Sequence, residues 1–240
     1  MLRQFIAPYP GKLSLAHLNA RSFKSDDKFD DLLNIFLGTG FDIICVTESW
    51  LDNSILDSEI FIPGYRVTRQ DRVGRPGGGV AVYLNDTFSF QVLASSSPQP
   101  DTVQYIILEV VARSSKLLLA VVYDSSPRAG SLDEFEESLE FFLPNYLHSF
   151  ILGDFNVNLS ITDSESAQFR DRFSSLNLHI LPTDTTFHTN IIDSLLDLMM
   201  VRDEGNVLSH GKLPVGVVRG SVLELLGRKY LHPFVFYVTP

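Results

Sequence analysis

Seven short apolar runs set most of what this chain can fold into. They are KLSLAHL (12–18), DIICVTE (42–48), GVAVYL (79–84), VQYIILEV (103–110), LLLAVVY (117–123), SFILGD (149–154) and LLDLMMV (195–201). Each has strand length, and most are rich in Val, Ile and Leu, the composition of strands buried in a sheet. Helical spacing occurs between some of them. In 131–143, Ser131 and Glu134 stand at capping-box distance, and Leu132, Phe135, Leu139, Phe142 and Leu143 share one face. The acids of that stretch read as a solvated face. Residues 27–37 and 165–176 read as further helices, and SSSPQP (95–100) as a loop. Strands outnumber helices and many neighbours are separated only by turns. The chain is therefore α/β, with mixed or antiparallel sheets flanked by helices rather than a regular βαβ series.

With 240 residues, 45% of them hydrophobic, the chain can bury a large core. No apolar run approaches the roughly 18 residues of a membrane span. The opening MLRQFIAPYPG lacks the apolar stretch of a signal peptide, so no membrane partner is expected. A lone cysteine, Cys45, excludes an internal disulfide framework and fits a reducing compartment. The net charge of −10 argues against non-specific coating of nucleic acid. A polyanionic substrate would need a local basic patch or a bound cation.

The strand ends carry the chemistry. Asn19 follows the first apolar run and Glu48 the second; Tyr123 ends a third, and Asp154 and Asn156 end a fourth. Asp197 lies inside a fifth, where an inward acid needs a buried partner. Each has a plainer reading: Asn19, Asp154 and Asn156 as turn caps, Glu48 as a solvent-facing acid, Tyr123 as an ordinary strand residue. Together they describe polar side chains held at the ends of a rigid sheet, where catalytic groups are often found. Carboxylates and carboxamides with few His or Cys suit Mg²⁺, which keeps waters and substrate phosphate in its shell. A second cluster, RVTRQDRVGRPGGGVAVYL (66–84), sets Arg66, Arg69, Arg72 and Arg75 against one acid, Asp71, ahead of three glycines. It reads as a phosphate-binding patch or as a solvated loop; neither a P-loop nor a dinucleotide spacing is present.

In this order, NARS, VTESWL, DR.GR.GGGV, VVY, GDFN and LLDL resemble the exonuclease–endonuclease–phosphatase superfamily, and within it the endonuclease domains of non-LTR retrotransposons. The resemblance covers roughly 12–212. It implies a DNase I-like, four-layer α/β sandwich with two central mixed sheets. It also implies phosphodiester cleavage that depends on Mg²⁺, or on Mn²⁺ in its place, with DNA as partner. That activity would be intracellular, and nuclear if it acts on genomic DNA. On this pattern Glu48 is the principal metal ligand, with Asn19 beside it orienting the site. Tyr123 contacts the scissile phosphate, Asp154 orients or deprotonates the attacking water, Asn156 holds the phosphate, and Asp197 supports the base. Arg69, Arg72 and Arg75 would contact DNA.

The same family ends on a Ser-Asp-His motif, and no adjacent Asp-His pair occurs among His17, His148, His179, His188, His210 and His232. After about Gly216 the composition changes. The expectation is a domain over 12–212, a foreign tail over 217–240 from truncation, altered splicing or a frame shift, and a sheet lacking its last core strand. The alternative to an active endonuclease is therefore an inactive remnant with at most a binding role. A lipid or inositol phosphatase of the same fold is disfavoured by the arginine–glycine loop.

Overall fold

All seven apolar runs are strands in a computed structural model of the chain. The structure describes residues 11–24, 29–30, 33, 37, 40–97, 102–112, 115–128, 130–182, 187–188, 193–212 and 234–238. The first sheet contains β1 (Leu13–Asn19), β2 (Ile43–Thr47), β3 (Tyr65–Gln70), β4 (Val80–Asn85), β13 (Val207–Lys212) and β14 (Phe234–Val238), in the order β13-β14-β1-β2-β4-β3. The second contains β5 (Ser89–Ser95), β6 (Gln104–Ala112), β7 (Ser115–Tyr123), β8 (His148–Asp154), β9 (His179–Ile180) and β12 (Asp197–Val201), in the order β5-β6-β7-β8-β12-β9. A small hairpin pairs β10 (Phe187–His188) with β11 (Asp193–Ser194). The β1–β2 and β7–β8 pairs are parallel and the others antiparallel, so both sheets are mixed as expected.

Alternation along the strands builds the layers. Leu13, Leu15, Ile43, Cys45, Val80 and Val82 of the first sheet pack on Leu117, Leu119, Val121, Leu152 and Met199 of the second. The intervening residues point outward. Leu118, Ala120, Val122 and Ile151 meet Phe135 and Leu139 of α1 (Asp133–Phe142) and Phe169 and Phe173 of α2 (Ser164–Ser175). Ala16, Leu18, Ile44 and Val46 meet Phe23, Phe41, Leu51 and Ile60 on the other outer face. Strands with two buried faces are apolar throughout, which is why their sequences show no clean polar alternation.

Two expectations change. The capping box of Ser131 and Glu134 does not form: α1 begins at Asp133 after an uncapped Leu132, because the Ser131 hydroxyl donates to Asp124 Oδ2 at 2.7 Å. The capping box belongs to α2, where Asp163 and Ser166 bond reciprocally. The first sheet also does not end at β1. Phe234–Val238 form β14, antiparallel to β1 from Leu13↔Val238 to His17↔Phe234 and paired on its other edge with β13. A strand rich in Phe, Val and Tyr meets the β-forming requirement whatever the composition around it. Residues 217–233 and 239–240 of the expected tail, His232 included, lie outside the described residues, as do most of 27–37, of which Phe29, Asp30, Leu33 and Leu37 are helical.

Candidate active site

The strand pairings bring the polar endings together. Asp154 lies opposite Tyr123 across the parallel β7–β8 pair and opposite Asp197 across the antiparallel β8–β12 pair. In the other sheet Asn19 lies opposite Thr47, the residue before Glu48. One side chain joins the sheets. The Asn19 Nδ2 amino group donates to Glu48 Oε1 at 2.8 Å and to Asp154 Oδ2 at 2.7 Å. Two carboxylates from different sheets thus share one neutral donor. The Asn19 Oδ1 accepts from the Arg21 N–H at 3.2 Å, which fixes this amide orientation.

Close backbone approach makes the junction possible. Gly153 lies opposite Val122, and a Cβ there would stand 2.1 Å from the Val122 carbonyl oxygen. The glycine in GDFN is a steric requirement of the β7–β8 contact that carries Asp154 into the site. Strain gathers in the same place. Among the described residues six non-glycines have left-handed φ, and five of them, Arg21, Ser22, Glu48, Trp50 and Asn156, sit on the turns that follow β1, β2 and β8. Such conformations cluster at functional sites because surrounding structure must hold them.

Burial and like charge then set the electrostatics. The Asp154 carboxyl is buried and is pushed well above the usual carboxylate range, first by burial and then by the Asp197 charge, with Glu48 adding to it. The Asn156 N–H, which donates to Asp154 Oδ1 at 3.0 Å, and Asn19 work in the opposite direction. The Tyr123 phenol is pushed up by burial and by Glu48 and Asp154, so it stays protonated and serves as a donor. Asn156 is anchored by its Nδ2, which donates to the Asp124 carbonyl at 2.7 Å.

Asp197 Oδ1 lies 3.8 Å from Nδ1 of His17, a buried residue that also contacts Thr47 Oγ1 at 3.2 Å. This is not an ion pair: burial lowers His17 to about 3, leaving the imidazole neutral.

The donor set suits a hard divalent cation. Among the described residues no three His, Cys, Asp or Glu side chains form a ready-made metal cage. Glu48 alone supplies carboxylate oxygen here, because Asn19 turns its amino group to Glu48 and its oxygen to Arg21 and so orients the ligand rather than being one; so few protein oxygens match an ion that keeps most of its waters. Burial first, and then repulsion from Asp197 and Glu48, raises Asp154; a cation would relieve the repulsion.

The three arginines separate. Arg69 is spent within the fold: its Nε lies 3.1 Å from Asp57 and 3.7 Å from Asp71, and its Nη2 donates to the Ile55 carbonyl at 2.6 Å. Arg72 is buried, with Cζ 5.4 Å from the centre of the Tyr123 ring, Nε bonded to Gln104 Oε1 at 3.0 Å and Nη2 to Ser125 Oγ at 2.7 Å. Arg75 is exposed and reaches the same Ser125 Oγ at 3.1 Å. The glycines make room for this: a Cβ at Gly78 would lie 2.6 Å from Arg72 Nε. The structure therefore brings Asn19, Glu48, Tyr123, Asp154, Asn156, Asp197 and Arg72 to one end of the two sheets, with Arg75 at its rim and Arg69 outside it. Trp50, Gln104, Asp124, Ser125 and His17 join the site without a sequence signal of their own, since only the pairing register gives them their places.

Comparison with known proteins agrees with this architecture. The model of the endonuclease/exonuclease/phosphatase family matches residues 16–227. Solved structures of the same fold include the endonuclease domain of TRAS1, a telomere-specific non-LTR retrotransposon, at TM-score 0.66 and 14% identity, covering 95% of this chain and 98% of that one. The AP endonuclease LMAP from Leishmania major gives 0.68 and 14%, covering 95% and 88%. The 3'-5' exonuclease NExo from Neisseria meningitidis gives 0.68 and 14%, covering 95% and 100%. No curated protein matches the sequence.

Proposed function

The chain belongs to the endonuclease/exonuclease/phosphatase family, and on that premise we propose that it is a Mg²⁺-dependent phosphodiesterase that nicks DNA, of the retrotransposon type. The observation that carries this reading is the Asn19 bridge between Glu48 and Asp154. It holds two carboxylates from separate sheets beside a phenol and a carboxamide. The structural relatives, two endonucleases and an exonuclease, point to the same substrate class.

Glu48, oriented by the Asn19 amino group, would hold the metal, which when bound supplies positive charge to the phosphate. Asp154 is the base. Burial and its acidic neighbours raise its proton affinity, and an acid with a raised pKa is the better acceptor near neutral pH. Its Oδ1 is fixed by the Asn156 N–H and its Oδ2 by Asn19, so a water is deprotonated in one orientation. Asp197, across the β8–β12 pair, keeps the proton affinity of Asp154 high. Tyr123, protonated, donates to a phosphate oxygen. Arg72, stacked on its ring, adds charge without leaving its buried position. Arg75 at the rim meets the DNA backbone.

The test is relaxation of supercoiled plasmid. The folded wild type nicks with Mg²⁺ or Mn²⁺ and not in EDTA, and Glu48→Ala and Asp154→Ala slow nicking by roughly 10²- to 10⁴-fold. Equal nicking by all three refutes the site assignment.

One observation favours a second reading, an inactive remnant that at most binds nucleic acid. No adjacent Asp-His pair exists in the chain, and His210 stands on the edge strand β13, separated from β1 by β14. A folded wild type that nicks under no divalent metal supports it.

A further inference from the structure

Trp50 is the single tryptophan of the chain, and its side chain is left in solvent with 41% of the residue exposed. Its position is nevertheless tightly set. The backbone is left-handed at φ 58°, as Glu48 is at φ 51°. The Trp50 N–H donates to the Gly78 carbonyl at 2.8 Å, and the Ser49 N–H to that of Gly79 at 3.3 Å. The indole lies over the glycine loop, where a Cβ at Gly77 would come within 3.7 Å of its Cε2 and Nε1. That Nε1 donates to Glu48 Oε2 at 3.3 Å. A strained, hydrogen-bonded turn thus holds a broad aromatic face open to solvent, in contact with a carboxylate of the candidate active site. Strained backbone is retained where surrounding structure enforces it for a purpose. On the same loop the exposed Arg75 joins Ser125, giving a cation for the backbone beside a ring for a base.

We propose that Trp50 is a nucleobase-stacking platform: a nucleotide flanking the scissile phosphodiester lays its base on the exposed indole face while its phosphate lies at the Tyr123 phenol and the Arg72 guanidinium. The proposal rests on the nucleic-acid reading above. It names the residue that makes this site select a nucleotide over a phosphate ester without a base. Base–aromatic stacking tolerates every base, so Trp50 contributes affinity and register rather than sequence preference.

Because Trp50 is the sole tryptophan, its fluorescence reports the contact directly. The probes are a thymidine dodecamer and an abasic dodecamer of identical charge, titrated with Ca²⁺ in place of Mg²⁺, with binding followed independently by anisotropy of labelled copies. The expected result is that the thymidine oligomer quenches Trp50 and the abasic one does not. Trp50→Ala weakens binding of the thymidine oligomer by roughly 5- to 150-fold and leaves the abasic oligomer unchanged. Trp50→Phe, which keeps an aromatic face and a similar volume, recovers most of the loss. Binding of the thymidine oligomer with no quenching, or equal weakening of both oligomers in Trp50→Ala, overturns the platform alone. Anisotropy that detects binding of neither oligomer to the wild type overturns the nucleic-acid reading and the platform with it.

Discussion

Replacing Gly153 with alanine adds one methyl group where β7 and β8 run together into the site. A Cβ at this position would stand 2.1 Å from the Val122 carbonyl oxygen and 2.9 Å from its carbonyl carbon. Ordinary contact begins at 3.4 Å, so the strands must part by more than an ångström. The obstacle is main chain, which cannot rotate away, and the sheet around it is close-packed. Over-packing of this kind costs roughly 1–3 kcal/mol. In a chain of this length each kcal/mol lowers Tm by about 2–4 °C, so a fall of roughly 2–12 °C is expected. The next residue pair along the same register is Asp154 and Tyr123. Separating them by that distance costs about 10² in rate. Gly211 is the control: a Cβ there meets nothing within 4 Å, so Gly211→Ala stays within about 0.5 kcal/mol of wild type. Thermal unfolding followed by circular dichroism and plasmid nicking with Mg²⁺ measure the two effects. A Gly153→Ala protein with wild-type Tm and wild-type nicking would refute the claim that the β7–β8 approach positions Asp154.

Other perturbations have directions fixed by the site. Asp154 has a folded pKa above its ordinary value, so keeping it ionised costs stability at pH above that raised value, and the cost vanishes below the usual Asp range. Asp154→Asn removes that charge, so the Tm of wild type minus that of Asp154→Asn, both metal-free, should fall as pH rises from about 4 to 7, and nicking should slow sharply; a difference independent of pH would contradict this. Burial lowers His17 from 6.5 to about 3, so in that window the unfolded chain binds a proton that the folded chain refuses, and stability falls as pH drops. Between pH 7 and pH 5 this amounts to about 2 kcal/mol, and urea unfolding at the two pH values should lose that difference in His17→Gln. Arg69→Gln should lower stability by roughly 1–3 kcal/mol with DNA affinity unchanged. Arg75→Ala should leave Tm unchanged and reduce the salt slope of DNA binding by about one.

The strands were legible because a sheet buried on two sides demands continuous apolar runs, and all seven runs are strands. The short β9, β10 and β11, and the half-exposed β3 and β5, carry no such run. β14 lay hidden in a stretch whose surroundings look foreign to the fold, although FVFYV is itself a good strand. At the site, polar residues ending apolar runs pointed to Asn19, Glu48, Asp154 and Asn156. Spacing alone does not say that one amide bridges two sheets, because register is a property of pairing. The arginines show the same limit. Arg69, Arg72 and Arg75 look alike along the chain, yet Asp57 ahead of β3 and Asp71 behind it take up the first, a tyrosine face receives the second, and only the third reaches the rim. Trp50 was visible in TESWL as a letter of a motif; its exposure depends on the left-handed backbone at 48 and 50, which no residue type at those positions announces.

The central claim is that Asn19 and Asp154 act as one unit with Glu48. The most direct measurement is a double-mutant cycle on kcat/KM for plasmid nicking, with Asn19→Ala, Asp154→Ala and the pair, each shown to be folded by circular dichroism. Residues that work as a unit lose their effect together, so the double variant should be no slower than Asp154→Ala alone. Losses that multiply across the cycle would contradict the account, because they would mean that Asn19 and Asp154 serve the reaction separately.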